Sequence, residues 1–550
     1  MAKTHSSLRN SPKLSEPMTV LLLRRPRMLT VSPLALLLLV RGAAGEVSHA
    51  SVTCTAPGAC TVSQTLNSTA AACATYDTDR NLTSGFASLD VRTNLTHDPM
   101  LAAHAAGFAE ATLTAREMAA FYLNVYEFGP EGPSAELVTW VEENDAWVRA
   151  RAAREAANDD YWMAVALVLS QFDGILAGYA SAAAALGLPS MSKLDLLWVN
   201  LDGDLFDLMS ALGEASPRGR AGRARELYPQ GLRCSALWKL TDENDELYFG
   251  HDTWDTYATA APRIWKHVTL AQRRDGEWRA RTASFSSSPG FLASVDDYYH
   301  FGESDDVSLI VIETSNNIFN ASAYDALTPR SVLYWIRVMV AGALATSAPR
   351  WADLFSIEAS GTYNNQWMLG DLVAFKPGRP LANGTFVVLE EVPGLIVARD
   401  QSATLQAQRY WPSFNVAFYA ETRAIAGETE SYTEVPRARL FSEMQGNVSD
   451  DASMRWLMGW NDYENDPRSG GSPDNAIMAR GDLAGGAGGG IDSKFSSAKH
   501  IADGVTSFAR AGPTSDDQPP FCWTKDFSST PHAGHPQCFD FSWGSFSPAP

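Results

Sequence analysis

Cysteine is scarce in this chain: six in 550 residues, too few for a disulfide scaffold or a cysteine-rich zinc array. Basic charge is short as well. Lys and Arg number 43 against 63 Asp and Glu, a formal net charge of −20, which excludes the clustered cationic surface that nucleic-acid binding needs. Several signatures are missing altogether. No Gly-x-Ser-x-Gly occurs, so there is no nucleophile elbow of the α/β-hydrolase kind. Walker A, His-Glu-x-x-His and Cys-x-x-Cys are also absent, and the ten histidines show no metal-ligand spacing. The sequence therefore implies no cofactor and no metal. Aromatic and apolar residues are plentiful: 16 Trp, 17 Tyr and 24 Phe within 45% hydrophobic residues, enough for a large core and incompatible with a disordered chain.

The N-terminus has the layout of a secretory signal peptide over residues 1–45. Arg24, Arg25 and Arg27 precede the short apolar run 33–40, and small residues follow, with cleavage expected near Ala44 or Gly45. Six Asn-x-Ser/Thr sequons, at Asn67, Asn81, Asn94, Asn320, Asn383 and Asn447, add the expectation of a glycosylated protein of the secretory pathway, lysosomal or secreted. The apolar stretch 162–188 carries Gln171 and Asp173 and is rich in Ala and Gly, the composition of a buried helix rather than a membrane span.

Helical periodicity covers 102–128, 135–157 and 161–186. A basic, turn-rich segment, 215–225, reads as an exposed, protease-accessible loop. Beyond it come strand-like runs at 235–240, 246–250, 264–270 and 307–313. The last is continuous and β-branched, as expected of a strand covered on both faces. A helix at 330–345 separates it from strands at 385–389 and 395–399. Helices, then strands, then alternation indicate an α+β layered body. The glycine run 485–490 and the C-terminus read as loops.

Cys54, Cys60 and Cys73 lie near the expected mature N-terminus, and Cys522 and Cys538 near the C-terminus. One bridge among the first three and a second between Cys522 and Cys538 are the expected pairings. Cys234 stands apart, at the start of a strand, and His251 follows in Gly250-His-Asp-Thr-Trp254. A hairpin turning at 241–245 would bring His251 beside Cys234, and a neighbouring base or cation is what turns a thiol into a nucleophile. A buried structural thiol is the plainer reading of the cysteine taken alone.

Further motifs change that weighting. Arg233-Cys-Ser-Ala-Leu-Trp-Lys239 and Gly250-His-Asp-Thr-Trp254 resemble blocks of the phospholipase B-like family. So do Ser288-Pro-Gly290 with Asp296-Asp-Tyr298, Ser360-Gly-Thr-Tyr-Asn-Asn-Gln-Trp367, Tyr410-Trp411 with Ser413-Phe-Asn415, Asn475-Ala-Ile477 with Ala479-Arg480, and Gly489-Gly-Ile-Asp492. The blocks run in order from about residue 190 to 545, and the eight-residue block at 360–367 is specific.

The resemblance implies a four-layer αββα sandwich of the N-terminal nucleophile hydrolase type. It also implies a precursor cut between Arg233 and Cys234, into an N-terminal, mostly helical fragment, 46–233, and a C-terminal fragment, 234–550. Together the two form one compact body. Cys234 becomes the nucleophile, with His251 orienting its thiol and Asn415 helping to form an oxyanion hole. Asn364, Asn365, Trp254 and Arg480 are further oxyanion or pocket candidates. For Asn364 and Asn365 a backbone-satisfying role is equally open, for Arg480 an ion pair with Asp482 or Asp492, and for Trp254 a place in the core. Asp252 is expected to favour the protonated form of His251. Arginine before the nucleophile and the basic loop leave open whether a trypsin-like protease assists the cut.

The implied activity is removal of fatty acyl chains from phospholipids, with transient membrane-surface contact. The same chemistry suits N-acyl amides or small peptides, and a third reading is a lumenal binding protein with little turnover.

Overall fold

The computed structural model describes residues 45–79, 81–125, 128, 132–213, 233–295, 297–303 and 306–548. Nearly all of the expected signal segment, the basic loop, Asp296 and the side chains of Asn81 and Arg233 lie outside what is described.

Two sheets carry the fold. The larger has eleven strands in the spatial order Leu395–Asp400, Phe386–Val392, Asn365–Asp371, Val307–Ser315, Tyr298–Glu303, Glu277–Ser287, Arg263–Arg274, Phe86–Thr93, Ala72–Asp77, Val47–Ala56 and Ala59–Ser63. Neighbours are antiparallel except Phe86–Thr93, which runs parallel to Arg263–Arg274. That pairing stitches the segment before Cys234 into the sheet built after it. The smaller sheet has six strands: Tyr410–Ser413, Arg233–Leu240, Leu247–Thr256, Gly488–Ser497, Ser507–Ala511 and Gly544–Phe546.

Side-chain alternation explains how the sheets are covered. In Val307–Ser315, Leu309 and Val311 join a cluster with the helices Pro99–Val125, Asp160–Leu186 and Tyr334–Leu344. Ile310 and Ile312 point the other way and meet Ala236, Trp238, Leu247 and Phe249 of the smaller sheet. The smaller sheet's opposite face, through Leu237, Tyr248 and Phe495, packs on Leu440, Phe441, Met454 and Leu457 from the helices Pro436–Met444 and Asp451–Met458. The continuous β-branched run thus has apolar partners on both faces.

The three long helices fall at Pro99–Val125, Ala135–Glu155 and Asp160–Leu186, within a few residues of their periodicities. The last is, among the described residues, the one helix long and apolar enough to cross a membrane, and 61% of its most apolar window is buried inside the protein. It lies against Pro99–Val125 closely enough that a Cβ on Gly107 or Gly174 would fall 2.0 Å from a carbonyl oxygen of the other helix. Ser134 and Asp159 cap two of these helices with side-chain acceptors.

Two features were not read from the sequence. Four strands precede the helices, between Val47 and Thr93. The glycine run is also only partly a loop, because Gly488–Ser497 is a strand paired with Leu247–Thr256. Glycine is required there for space: a Cβ on Gly490 would meet Met478 Sδ at 2.1 Å, and Gly489 has φ 147°. Cys54 is bridged to Cys60 and Cys522 to Cys538, and Cys73 and Cys234 are free. Asn67, Asn320, Asn383 and Asn447 are exposed, and Asn94 is half-buried.

Candidate active site around Cys234

The hairpin forms as its sequence suggests, with Arg233–Leu240 antiparallel to Leu247–Thr256. Cys234 has the parity of Ala236 and Trp238, and His251 that of Leu247 and Phe249. Both therefore face the space between the sheets. Ala236 sits opposite His251 and Cys234 opposite Thr253, so His251 is the diagonal neighbour of the thiol. Asp252 has the opposite parity and faces away from His251. Burial pushes its carboxyl well above its ordinary value, so it supplies no negative charge to His251. The imidazole is instead held well below its ordinary pKa, by burial first and by the Lys494 ammonium second. The expected protonated histidine is a neutral one.

Glu313, at the end of Val307–Ser315, completes the cluster. One ligand atom each from Cys234, His251 and Glu313 lie within 4.8 Å of one another, and all three residues are buried. The Tyr363 hydroxyl donates to Glu313 Oε1 at 3.1 Å and is 2.5 Å from Asp297 Oδ2. Tyr363 reaches them from a left-handed conformation, φ 52°, within the 360–367 block. Burial raises both carboxyls, Asp297 to about 7, and each acts on the other. Such a pair retains a shared proton near neutrality. Burial, followed by the charge of Glu313, pushes the Cys234 thiol well above its ordinary pKa. On the other side, Lys494 donates to Thr253 Oγ1 at 2.7 Å and to Asp492, which also accepts from Arg263 at 2.8 Å. Burial works against ionisation of Asp492, yet Lys494 and Arg263 hold its carboxyl below the usual range.

Asn415 follows the strand Tyr410–Ser413 in a left-handed conformation, φ 70°. Its Oδ1 accepts the Cys234 backbone N–H at 3.0 Å and the Arg437 guanidinium at 2.8 Å. Its Nδ2 donates to the Ser315 carbonyl at 2.8 Å. Two obligate donors at Oδ1 fix the orientation of the amide. Asn415 therefore holds the Cys234 nitrogen, and its own donor is spent on Ser315. Arg437 also donates to the Cys234 carbonyl and to the Phe414 carbonyl.

The other candidates separate clearly. Trp254 lies on the outer face of the hairpin, with the Arg437 guanidinium 4.4 Å from its ring centroid, and so braces the arginine from the side opposite the thiol. Asn364 donates to Asp207 at 3.0 Å. Asn365 sits opposite Ser315 in the sheet, and both its amide atoms are buried without a hydrogen-bond partner among the described residues. Arg480 pairs with Asp482 at 2.8 Å and donates to the carbonyls of Thr514 and Pro519, a bracing arrangement that includes none of the residues around Cys234.

Glu313, Asp297, Tyr363, Lys494 and Arg437 escaped the sequence reading. Tyr363 lies inside the specific block at 360–367 and was reachable from it. Asp297 lies likewise inside the block at 296–298, and nothing in spacing or pattern links Glu313, Lys494 or Arg437 to Cys234.

This geometry defines a buried cysteine whose thiol and backbone nitrogen are separately held, at a seam between two sheets. Comparison with known proteins supplies the family. The phospholipase B family model matches residues 72–546. Phospholipase B-like protein B of Dictyostelium discoideum is 33% identical over 85% of this chain and 84% of its own. Phospholipase B-like 1 of Homo sapiens is 35% identical over 80% of each chain, and phospholipase B of Crotalus adamanteus is 32% identical over 86% of this chain and 88% of its own. The chain belongs to the phospholipase B family.

Proposed function

We propose that this chain is a phospholipase B-like acyl hydrolase, matured by cleavage between Arg233 and Cys234, with Cys234 as an N-terminal nucleophile. The observation that carries the reading is the grip of Asn415 on the Cys234 nitrogen, at 3.0 Å, beside a thiol that shares a buried cluster with His251 and Glu313. In the precursor that nitrogen is a peptide N–H. After cleavage it is an α-amine whose ordinary pKa, about 7.7–8, suits it to take the proton of its own thiol. A thiol pushed upward by burial is a poor nucleophile until such a base is freed, so activity is expected to follow cleavage.

In maturation the thiol attacks the Arg233 carbonyl. The peptide bond breaks, the amine is released with a proton, and water hydrolyses the resulting thioester. In turnover the α-amine takes the thiol proton and the thiolate attacks the substrate carbonyl. The α-ammonium returns the proton to the departing alcohol, and water releases the fatty acid. Asn365, whose buried Nδ2 has no hydrogen-bond partner among the described residues, is the proposed oxyanion donor, since the Asn415 donor is engaged on Ser315. Neutral His251 orients the thiol.

Face-to-face sheets with helices on both outer faces support the four-layer arrangement of N-terminal nucleophile hydrolases. Phospholipid as substrate rests on the names of the relatives. The sequons and the basic-then-apolar N-terminus support a secretory route, lysosomal or secreted. Because Phe86–Thr93 is paired with Arg263–Arg274, the fragments 46–233 and 234–550 are expected to stay together after cleavage, separating only in denaturant.

The test is intact mass and N-terminal analysis of the purified protein beside Cys234→Ala, followed by fatty-acid release from diacylphospholipid and from an N-acyl amide. A wild-type fragment beginning at Cys234, absent from the variant, with ester turnover, is the expected result. Turnover of the amide alone would replace the substrate class and keep the mechanism. An uncleaved chain after incubation at acid pH would overturn the mechanism and leave the binding-protein reading.

A further inference from the structure

Two atoms in the Cys234 cluster fall short of hydrogen-bond geometry. His251 Nε2 and Glu313 Oε2 are both buried and without a hydrogen-bond partner among the described residues. Buried polar atoms are ordinarily satisfied, and an orphan calls for a ligand or a chemical role. The residues that carry these two atoms group with the Cys234 thiol, with one ligand atom from each of the three inside 4.8 Å of the others. We propose that Cys234, His251 and Glu313 form a binding site for a thiophilic divalent cation, of which zinc is the biological representative, and that the bound ion masks the nucleophile.

The donor set selects the class of ion. Sulfur, imidazole nitrogen and a carboxylate oxygen suit zinc and its neighbours, whereas magnesium and calcium prefer oxygen alone. Bond lengths of about 2.0–2.3 Å put tetrahedral ligand atoms about 3.3–3.6 Å apart, so the cluster needs only a modest contraction. Its supports are rigid, since the three residues come from three strands in two sheets that pack face to face. The partners next to the ligands are in place too. Tyr363 donates to Glu313 Oε1 at 3.1 Å, leaving Oε2 for the ion, and Thr253 Oγ1 is 3.5 Å from His251 Nδ1, leaving Nε2.

Charge balances as well. On binding, the thiol gives its proton to solvent. Thiolate and carboxylate then offset the two positive charges, with the shared carboxyl proton kept by Asp297. Lys494 is paired with Asp492, which it shares with Arg263. A metal–sulfur bond occupies the electron pair the thiolate would use for attack. The ion would thus hold the protein inactive and reversibly protected from oxidation, with a water in the fourth position.

The test uses the full-length protein, stripped with a chelator and titrated with Co2+ as a spectroscopic probe. The expected result is one equivalent bound, with tetrahedral ligand-field bands and a thiolate charge-transfer band, both displaced by Zn2+. Cys234→Ala should abolish the charge-transfer band, and Glu313→Gln should weaken binding at least about tenfold, with near-UV circular dichroism checking that each variant is folded. A measurement on the wild type alone guards against a folding artefact. Zn2+ should slow alkylation of Cys234 at least about tenfold, reversibly by chelator, while the other free thiol, Cys73, serves as internal reference. A weak octahedral cobalt spectrum, a charge-transfer band that survives Cys234→Ala, or equal alkylation of Cys234 with and without Zn2+ would overturn the site. Hydrolysis, measured separately in metal-free protein, leaves these outcomes unaffected, so the site and the proposed activity can fail independently.

Discussion

Two buried polar clusters flank the block at 360–367, and they are built on opposite terms. Around Arg337 every guanidinium nitrogen is used: Nε on the Val332 carbonyl, Nη1 on the Phe355 carbonyl and Nη2 on Ser360 and both oxygens of Glu391, all at 2.9–3.1 Å. The Gly361 N–H adds a further bond to Glu391 at 3.0 Å. In the Cys234 cluster, by contrast, His251 Nε2 and Glu313 Oε2 have no hydrogen-bond partner among the described residues, nor do the amide atoms of Asn365, opposite Ser315 in the sheet. Each cluster costs desolvation, but only the first recovers it through geometry. A satisfied cluster fixes a turn, whereas an unsatisfied one keeps binding capacity in reserve for a substrate, an oxyanion or an ion. The 360–367 block joins the two, with Ser360 and Gly361 in the first and Tyr363 and Asn365 at the second.

If that contrast is correct, changes at Cys234 should cost activity and spare the fold. Cys234→Ala is expected to reduce hydrolysis about 10³-fold or more and to shift stability by about 1 kcal/mol or less. Progress curves on matched amounts of folded protein, together with urea unfolding, check both halves. A comparable loss of stability would mean that the thiol is a packing residue after all. The complementary change is Arg337→Met, which strands Glu391 in the interior. It should lower stability by about 3–5 kcal/mol in the same urea experiment, and the protein that remains folded should keep its turnover number.

Asn415 sharpens the comparison, because it belongs to the reactive cluster yet is fully hydrogen-bonded. Its φ of 70° makes glycine the substitution that removes the side chain without backbone strain. Asn415→Gly is expected to lower kcat about 10²-fold, the cost of a misplaced reacting group, with KM little changed. Asn415→Asp retains an acceptor for the Cys234 nitrogen and should recover part of the loss. Equal defects in the two variants would show that the acceptor is not what matters.

The contrast between the clusters also marks how far the sequence could be read. The helices Pro99–Val125 and Asp160–Leu186 announce themselves because a long 3.6-residue period has few competing readings. The hairpin carrying Cys234 and His251 is legible for a similar reason: two apolar strands flank a short polar turn. Parity within that hairpin already places Asp252 on the other face, a step the sequence permitted and that the resemblance alone obscured. Glu313 and Lys494 are a different matter. They approach Cys234 from other strands, and no local pattern encodes a contact between sheets. The place of Asn415 was hidden too, since only the two donors meeting at its Oδ1 show which end of the amide faces the Cys234 nitrogen. The glycine strand Gly488–Ser497 went unread because its glycines answer to Met478 and Ala479, neighbours brought close only by the fold.

The smallest expected effect, taken per pH unit, concerns the acids that both clusters share as neighbours. Burial raises Asp204 to about 8, Asp207 to about 6 and Asp297 to about 7, against ordinary values near 4 in an unfolded chain. Between those limits the folded state binds more protons than the unfolded state, so stability falls as pH rises. The contribution is fully present below about pH 4 and is lost as pH climbs through each folded value, at about 1.4 kcal/mol per pH unit for each titrating group. These three acids therefore favour the fold more near pH 5 than near pH 7.5, while the buried imidazoles of His300 and His535, held at about 4 and about 3, pull the other way below their ordinary value near 6.5. Asp204→Asn offers the discriminating variant, since Asp204 accepts from the Thr362 hydroxyl at 2.5 Å and asparagine keeps that acceptor without a titrating proton. Its thermal midpoint should decline less steeply with pH than that of the wild type, by about one group's share. A slope unchanged by the substitution would place the pH dependence in the remaining raised acids, Asp207 and the Asp297–Glu313 pair.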